Sequence, residues 1–369
     1  MLNKFEVKGF KNFKDRFILD LSKKKNYEFN THLLYNDTIR SGVIFGKNSS
    51  GKSNLGLALF DIINHLTDDK RKTMADTKPF LNLNSSNKIA EFKYTFKFDD
   101  TILEYEYYKS DEESLVSEKV IIDGKEIIYY DFETMEGYSK LQGTENLNTN
   151  LETNNLSFLK YIINNSILED TKENQVFKKM FTFVNSMLLF YSLNGNRFFG
   201  FTKNIESISD GIVRKEKLKD FEKFLNDLEI PCQLIAKEID GEYIIYNQFE
   251  FGETNFYRTA STGTKALALF YYWLISSNDA SFIFMDEFDA YYHYELAETI
   301  SKYIIKERPN AQIFFTSHNT NLMSNELFRP DCLFIIQCSQ IKPMSSLIDK
   351  ELRYAHNLQK MYRAGAFNE

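Results

Sequence analysis

One stretch constrains this chain more than any other: Gly46-Lys47-Asn48-Ser49-Ser50-Gly51-Lys52-Ser53. It fits the pattern G-x-x-x-x-G-K-[ST], a phosphate-binding loop that links a strand to a helix. Both flanks supply that context. Val43-Ile44-Phe45 is a short apolar run suited to a strand buried on both faces. Leu55, Leu59, Ile62, Ile63 and Leu66 then form one apolar stripe of a helix. In such a loop, backbone N–H groups and the helix N-terminus surround phosphates, and the helix dipole favours their charge. Lys52 places a point charge on the β- and γ-phosphates of ATP, and the Ser53 hydroxyl coordinates Mg²⁺. A chance match in a Gly/Ser-rich turn would not need both flanks.

Two later strands carry the groups such a loop requires. Residues 281–287, Ser-Phe-Ile-Phe-Met-Asp-Glu, form an apolar run ending in two acids, the Walker B pattern. Asp286 at the strand tip can reach the Mg²⁺ shell, and Glu287 can accept a proton from, or orient, an attacking water. Residues 313–319, Ile-Phe-Phe-Thr-Ser-His-Asn, form another strand with a polar end. That places His318 beside the nucleotide crevice of an α/β sheet. It reads as a γ-phosphate sensor, with a purely structural imidazole as the alternative.

The periodicity divides the chain into three. Residues 5–20 read as two strands joined by a turn at 11–15, and residues 89–130 alternate with period two through Phe92, Tyr94, Phe96 and Phe98. Asp123-Gly124 marks a hairpin turn there. Residues 136–155 suit a mobile loop, 156–168, 173–188 and 214–228 suit helices, and 233–247 suit a hairpin turning at Asp240-Gly241. The last third alternates: helix 263–275, strand 282–285, helix 294–307, strand 312–315, strand 333–336 and a closing helix over 346–364. The expected fold class is α/β: a mostly parallel core sheet, an antiparallel β-subdomain and a helical insertion. The expected divisions are 1–135, 136–250 and 251–369.

Composition narrows the function. The formal net charge is -7, so no overall basic field draws nucleic acid. Basic clusters at 23–25, 70–72 and 214–219 read as solvated faces, which leaves DNA binding open only through a local patch. The 3 cysteines have no metal spacing and fit a reducing compartment. The N-terminus is not a signal peptide, and no apolar run approaches the roughly 20 residues of a membrane span. A cytoplasmic protein is expected.

With Ser261-Thr262-Gly263-Thr264-Lys265 and the opening residues 5–13 (FEVKGFKNF), these elements resemble the P-loop heads of ABC-type ATPases of the SMC, RecF and OLD class. Within it, residues 261–267, 286–289, 316–323 and 352–367 are similar to compact AAA-type ATPases of bacterial abortive-infection and anti-phage operons, such as the ATPase subunits of the AbiL, Rlo, PARIS and Septu systems. The resemblance implies a head-to-tail homodimer with ATP between subunits, Ser261 and Gly263 contacting the γ-phosphate in trans. Without it, residues 261–265 read equally as a cap on the following helix. The segment Ala260-Ser261-Thr262-Gly263-Thr264 departs from the usual Leu-Ser-Gly-Gly-Gln, and Thr262 adds a side chain where the family usually has none. There is no clear Q-loop glutamine, Asn82 or Asn84 being the candidates to substitute. Asp289 and His293, in the place of the D-loop, either contact the partner's site or start a helix. The tail residues Arg353, His356, Asn357 and Tyr362 pack or cap a helix on the head.

The expected function is an ATP-binding, slowly hydrolysing sensor or scaffold subunit of an anti-phage defence complex. The residues after His318 are too few for the Toprim or anticodon nuclease of related ATPases, so the effector, a nuclease or other toxin, is expected to be a separate protein. The alternative is a RecF- or SMC-like repair or recombination ATPase that clamps DNA. A transporter subunit is disfavoured by the opening strands, the missing glutamine and the altered signature.

Overall fold

The computed structural model describes all residues except 23, 68–78, 152, 192–196, 200–206, 277–278, 292 and 368–369, with backbone alone at 197–199. The chain begins with β1 (Leu2–Lys8) and β2 (Phe17–Asp20), then a short hairpin of β3 (Leu34–Tyr35) and β4 (Thr38–Ile39). Next, β5 (Ser41–Gly46) leads through the glycine-bearing loop into α1 (Lys52–Leu66). Five strands follow: β6 (Ala90–Phe98), β7 (Thr101–Lys109), β8 (Leu115–Ile122), β9 (Lys125–Asp131) and β10 (Glu136–Ser139). The middle contains α2 (Phe158–Asn165), α3 (Lys172–Asn185), β11 (Met187–Tyr191), β12 (Arg197–Phe199), α4 (Ile208–Arg214) and α5 (Leu218–Asp227). Then come β13 (Leu234–Ile239), β14 (Glu242–Phe249), β15 (Gly252–Asn255), α6 (Phe256–Thr259) and α7 (Thr262–Ser276). The last part holds β16 (Phe282–Asp286), α8 (Tyr294–Glu307), β17 (Gln312–Ser317), β18 (Leu333–Gln337), β19 (Gln340–Pro343) and α9 (Leu358–Arg363).

Two seven-stranded sheets organise these elements. One has the order β10-β9-β8-β7-β6-β1-β2, and its pairs are antiparallel. The other has the order β12-β11-β16-β17-β5-β18-β19. Its five inner strands run parallel, and each edge strand is antiparallel to its neighbour. The inner strands are buried along nearly their whole length, which is why their sequences are continuous apolar runs. The α/β reading thus holds, with a mixed sheet at the core.

Helix α1 joins the two sheets. Leu55, Leu59, Ile62, Ile63 and Leu66 are all buried. On the side towards the antiparallel sheet, the Tyr94 hydroxyl donates to the Ala58 carbonyl at 2.9 Å. Asp61 accepts from the Tyr107 hydroxyl at 2.9 Å and pairs with Lys109 at 3.0 Å. His65 Nε2 lies 2.8 Å from the Tyr105 hydroxyl, which donates to Glu118 at 2.5 Å. Glu118 also accepts from Ser157 Oγ and Phe158 N at the start of α2, both at 2.7 Å. Buried charges need such partners, and here the partners come from opposite sides of one interface.

Several expectations change. The helix expected over 173–188 ends at Asn185, and Met187–Tyr191 is β11, a core strand beside β16. The middle segment therefore contributes to the core sheet. The 136–155 segment starts with β10 and buries Leu141 and Leu151. The helix expected over 214–228 forms as α5 over Leu218–Asp227, preceded by the separate α4 that ends at Arg214; Glu216 between them takes a left-handed φ of 58°. Of the closing helix expected over 346–364, only Leu358–Arg363 is helical. Sheet pairing also crosses the expected divisions, since β10 joins the first sheet and β14 joins β15 across residue 250.

Candidate nucleotide site

The parallel register brings the three sequence segments to one edge. Thr316 lies opposite Ile44 and Ser317 opposite Phe45, while Met285 lies opposite Phe315. The ends of β5, β16 and β17 therefore lie side by side, at the carboxyl edge where open α/β sheets bind ligands.

The loop is shaped for close approach. Ser49 and Gly51 have left-handed φ values of 62° and 106°. A Cβ at Gly46 would fall 2.4 Å from Ser50 Oγ, and one at Gly51 would fall 2.5 Å from Asn12 Nδ2. Lys47, Asn48 and Ser49 are exposed, and Ser50 N donates to the Lys47 carbonyl at 3.1 Å. Ser50 Oγ is buried without a partner. Gly51, the N-cap of α1, supplies no side-chain cap, and no acid occupies the helix's first turn. Its N–H groups are thus left for an anion.

The Lys52 ammonium is buried between the Gly46 carbonyl at 3.0 Å and His318 Nε2 at 2.8 Å. Because a lysine ammonium only donates, Nε2 accepts and the ring proton resides on Nδ1. Burial lowers the Lys52 pKa, opposed by the fields of Glu287, Asp286 and Asp289. Among the described residues no carboxylate lies within ion-pair distance of Lys52, so the cation fits a phosphate. Glu287 Oε1 lies 3.8 Å from His318 Nε2.

The acids are held by hydroxyls. Burial raises the pKa of Asp286, opposed by hydrogen bonds from Ser53 and Thr316. Thr316 Oγ1 donates to Asp286 Oδ1 at 2.7 Å and accepts from Glu287 N at 2.7 Å. Glu287 has a left-handed φ of 47°, a strained backbone of the kind that clusters at functional sites. Burial also raises Asp289, opposed by a hydrogen bond from Ser317 Oγ to its Oδ2 at 2.5 Å. The Ser53–Asp286 pair fits Mg²⁺, which commonly takes few protein ligands and completes its shell with phosphate oxygens and water.

Thus Gly46 to Ser53, Asp286, Glu287 and His318 come together in one chain. Ser261 and Gly263 lie elsewhere. Ser261 Oγ accepts from Thr264 N at 3.1 Å at the start of α7, and a Cβ at Gly263 would meet the Tyr291 carbonyl at 2.8 Å. Among the described residues neither bonds to the 46–53 loop. Asn82 donates to the Lys11 carbonyl at 2.6 Å and so braces the β1–β2 loop, while the Asn84 backbone donates to Asn82. Asp289 faces Ser317 of its own chain, and the exposed His293 is the N-cap of α8. The sequence does not single out Thr316, nor Asn12 beside Gly51 and Asn54 (2.7 Å). The polar triplet after Phe315 was the only signal for Thr316.

Residues 43–324 match the family described as "AAA domain, putative AbiEii toxin, Type IV TA system". The chain belongs to this AAA-domain family. No curated protein matches its sequence. Among solved structures, this AAA-domain protein is similar to the SMC head domain from Thermotoga maritima, at 15% identity and a TM-score of 0.44, covering 92% of this chain and 97% of that one. An SMC head bound to the C-winged helix domain of ScpA gives 15% identity and a TM-score of 0.45, covering 92% and 96%. An SMC head derived from Pyrococcus furiosus, with an extended coiled coil and bound to the C-terminal domain of ScpA, gives 14% and 0.44, covering 92% and 95%. Among the described residues, no helix is long and apolar enough to cross a membrane.

Proposed function

We propose that this AAA-domain protein binds Mg-ATP and hydrolyses it as the sensor or scaffold subunit of an anti-phage, abortive-infection complex, controlling a separate effector such as a nuclease or toxin. One observation carries the catalytic part: a buried Lys52 ammonium sits against His318 Nε2, with Glu287 alongside and Ser53 joined to Asp286. Lys52 would turn from Gly46 and His318 to the β- and γ-phosphates, and His318 would sense the γ-phosphate. Ser53 and Asp286 would hold Mg²⁺. When bound, the metal supplies charge neutralisation across the phosphate oxygens. Glu287 would orient the attacking water and take its proton.

The switch is a head-to-tail homodimer in this reading. Ser261 is exposed at the start of α7, from which it and Gly263 would reach a partner's γ-phosphate. The family description's "Type IV TA system" supports the defence setting. The basic clusters give DNA clamping little support, since Lys24 pairs with Asp37, Arg214 with Asp210, Lys217 with Asp220 and Lys219 with Glu222. Cluster 70–72 lies outside the described residues. Free cysteines at 232, 332 and 338 fit a reducing cytoplasm.

The test is the mass of the complex purified from its native operon, for wild type and Glu287→Gln, with and without Mg-ATP. The variant is expected to bind ATP, hydrolyse it poorly and trap a multimer holding an effector protein. A trapped form that retains DNA and no protein partner would replace this reading with a DNA clamp.

A further inference from the structure

His318 is not fixed by packing: its side chain is 45% exposed. Besides its contact with Lys52, what fixes it is the backbone on either side. Upstream, Ser317 bonds Asp289, and Asn319 N donates to Ser317 Oγ at 2.8 Å. Downstream, the chain makes a 3-10 turn, Thr320–Leu322, whose Asn321 N donates to Asn319 Oδ1 at 3.0 Å.

The C-terminal segment grips that turn. Gln359 Nε2 donates to Thr320 Oγ1 at 3.2 Å and also to Asn321 Oδ1, and Arg363 Nη2 donates to the same Thr320 hydroxyl at 3.0 Å. Both side chains come from α9, only six residues long and too short to be stable alone. The segment is anchored on both sides. Buried Asn325 donates from Nδ2 to the carbonyls of Arg353, Tyr354 and His356 at 3.1, 3.0 and 3.2 Å. Leu352, Leu358 and Phe367 are buried, and Gln337 at the end of β18 donates to the Phe367 carbonyl at 3.0 Å. The grip on the 318–322 turn is thus carried back to β18, the strand beside β5.

We propose that Gln359 and Arg363 are positioning residues for His318, and that the C-terminal segment sets the imidazole's register against Lys52 and an incoming γ-phosphate. The inference rests on the reading of His318 as the γ-phosphate contact. Neither residue touches the site. Both act through Thr320, two residues from the imidazole.

The experiment uses the full chain in steady-state ATP hydrolysis, with His318→Ala assayed in parallel. Arg363→Ala, Gln359→Ala and Thr320→Val are each expected to lower kcat about tenfold while KM for ATP stays within about twofold. Thr320→Val combined with Arg363→Ala should cost no more than Thr320→Val alone, because losing the Thr320 hydroxyl already removes the Arg363 bond. Arg363→Lys, which keeps a donor, should restore part of kcat, and the His318 ring ¹⁵N resonance should move in all three single variants. Thr320→Val leaves α9 untouched, so it answers the question even where an α9 variant fails to fold. Wild-type kcat in the three variants, with loss in His318→Ala, overturns the positioning role and leaves the site reading standing. An additive cycle, or a loss seen only in thermal stability, overturns it as well. Wild-type hydrolysis by His318→Ala removes the sensor reading and this inference with it.

Discussion

Thr316 is fully buried between the two acids, and its single hydroxyl both donates to Asp286 and accepts from Glu287 N. It therefore fixes the strained turn at which β16 gives way to Glu287, the proposed base. Thr316→Val keeps the shape but leaves the Glu287 N–H without that partner. We expect a loss of about 1–3 kcal/mol in unfolding free energy, read by denaturant titration, and a kcat reduced about tenfold. Unchanged kcat would place the hydroxyl outside the machinery. The Asp and Glu at the tip of an apolar strand, and the lysine after two spaced glycines, are legible because each sits at a fixed offset from a strand end. Thr316 is not, because its partners lie across a strand pairing whose register local pattern does not supply.

At the level of elements, α1 is held by a buried polar layer. Burial, aided by the field of Lys109, pushes the His65 pKa well below its ordinary value of 6.5. The unfolded chain takes up a proton below that value while the folded chain does not. The contribution is therefore complete above pH 6.5 and is lost as pH falls through the depressed pKa. Glu118 works in the opposite direction: burial raises its pKa, so its contribution is present at low pH and lost as pH rises through the raised value. Comparing wild type with His65→Gln isolates the first term. Between about pH 7.5 and 5.5 the wild-type Tm should fall further than the variant's; parallel curves would show that the folded chain protonates His65 as readily as the unfolded one, against the burial argument. The sequence displays the apolar stripe of α1 and the alternation of β6 plainly. It hides β11, because Met187–Tyr191 continues the apolar pattern of α3 with only Asn185 and Ser186 to mark the change.

For the whole molecule, the proposed dimer would bring a second copy to the exposed start of α7. Glu287→Gln with Mg-ATP should double in mass by sedimentation, and adding Ser261→Arg should keep it monomeric with ATP still bound. A dimer that survives Ser261→Arg would move the contact elsewhere. In the core sheet β5 lies between β17 and β18. Both neighbours come from residues 312–337, so β5 emerges from the ribosome with neither partner yet made. The first sheet can pair early, from β1 and β6 to β10, while Val43, Ile44 and Phe45 wait for residues 312–337. Long-range parallel pairing of this kind folds late and leaves apolar strands open to aggregation meanwhile. A phosphate-binding shape for the loop after β5 therefore waits until residues 312–337 have been made, too late for nucleotide to assist the pairing of the first sheet.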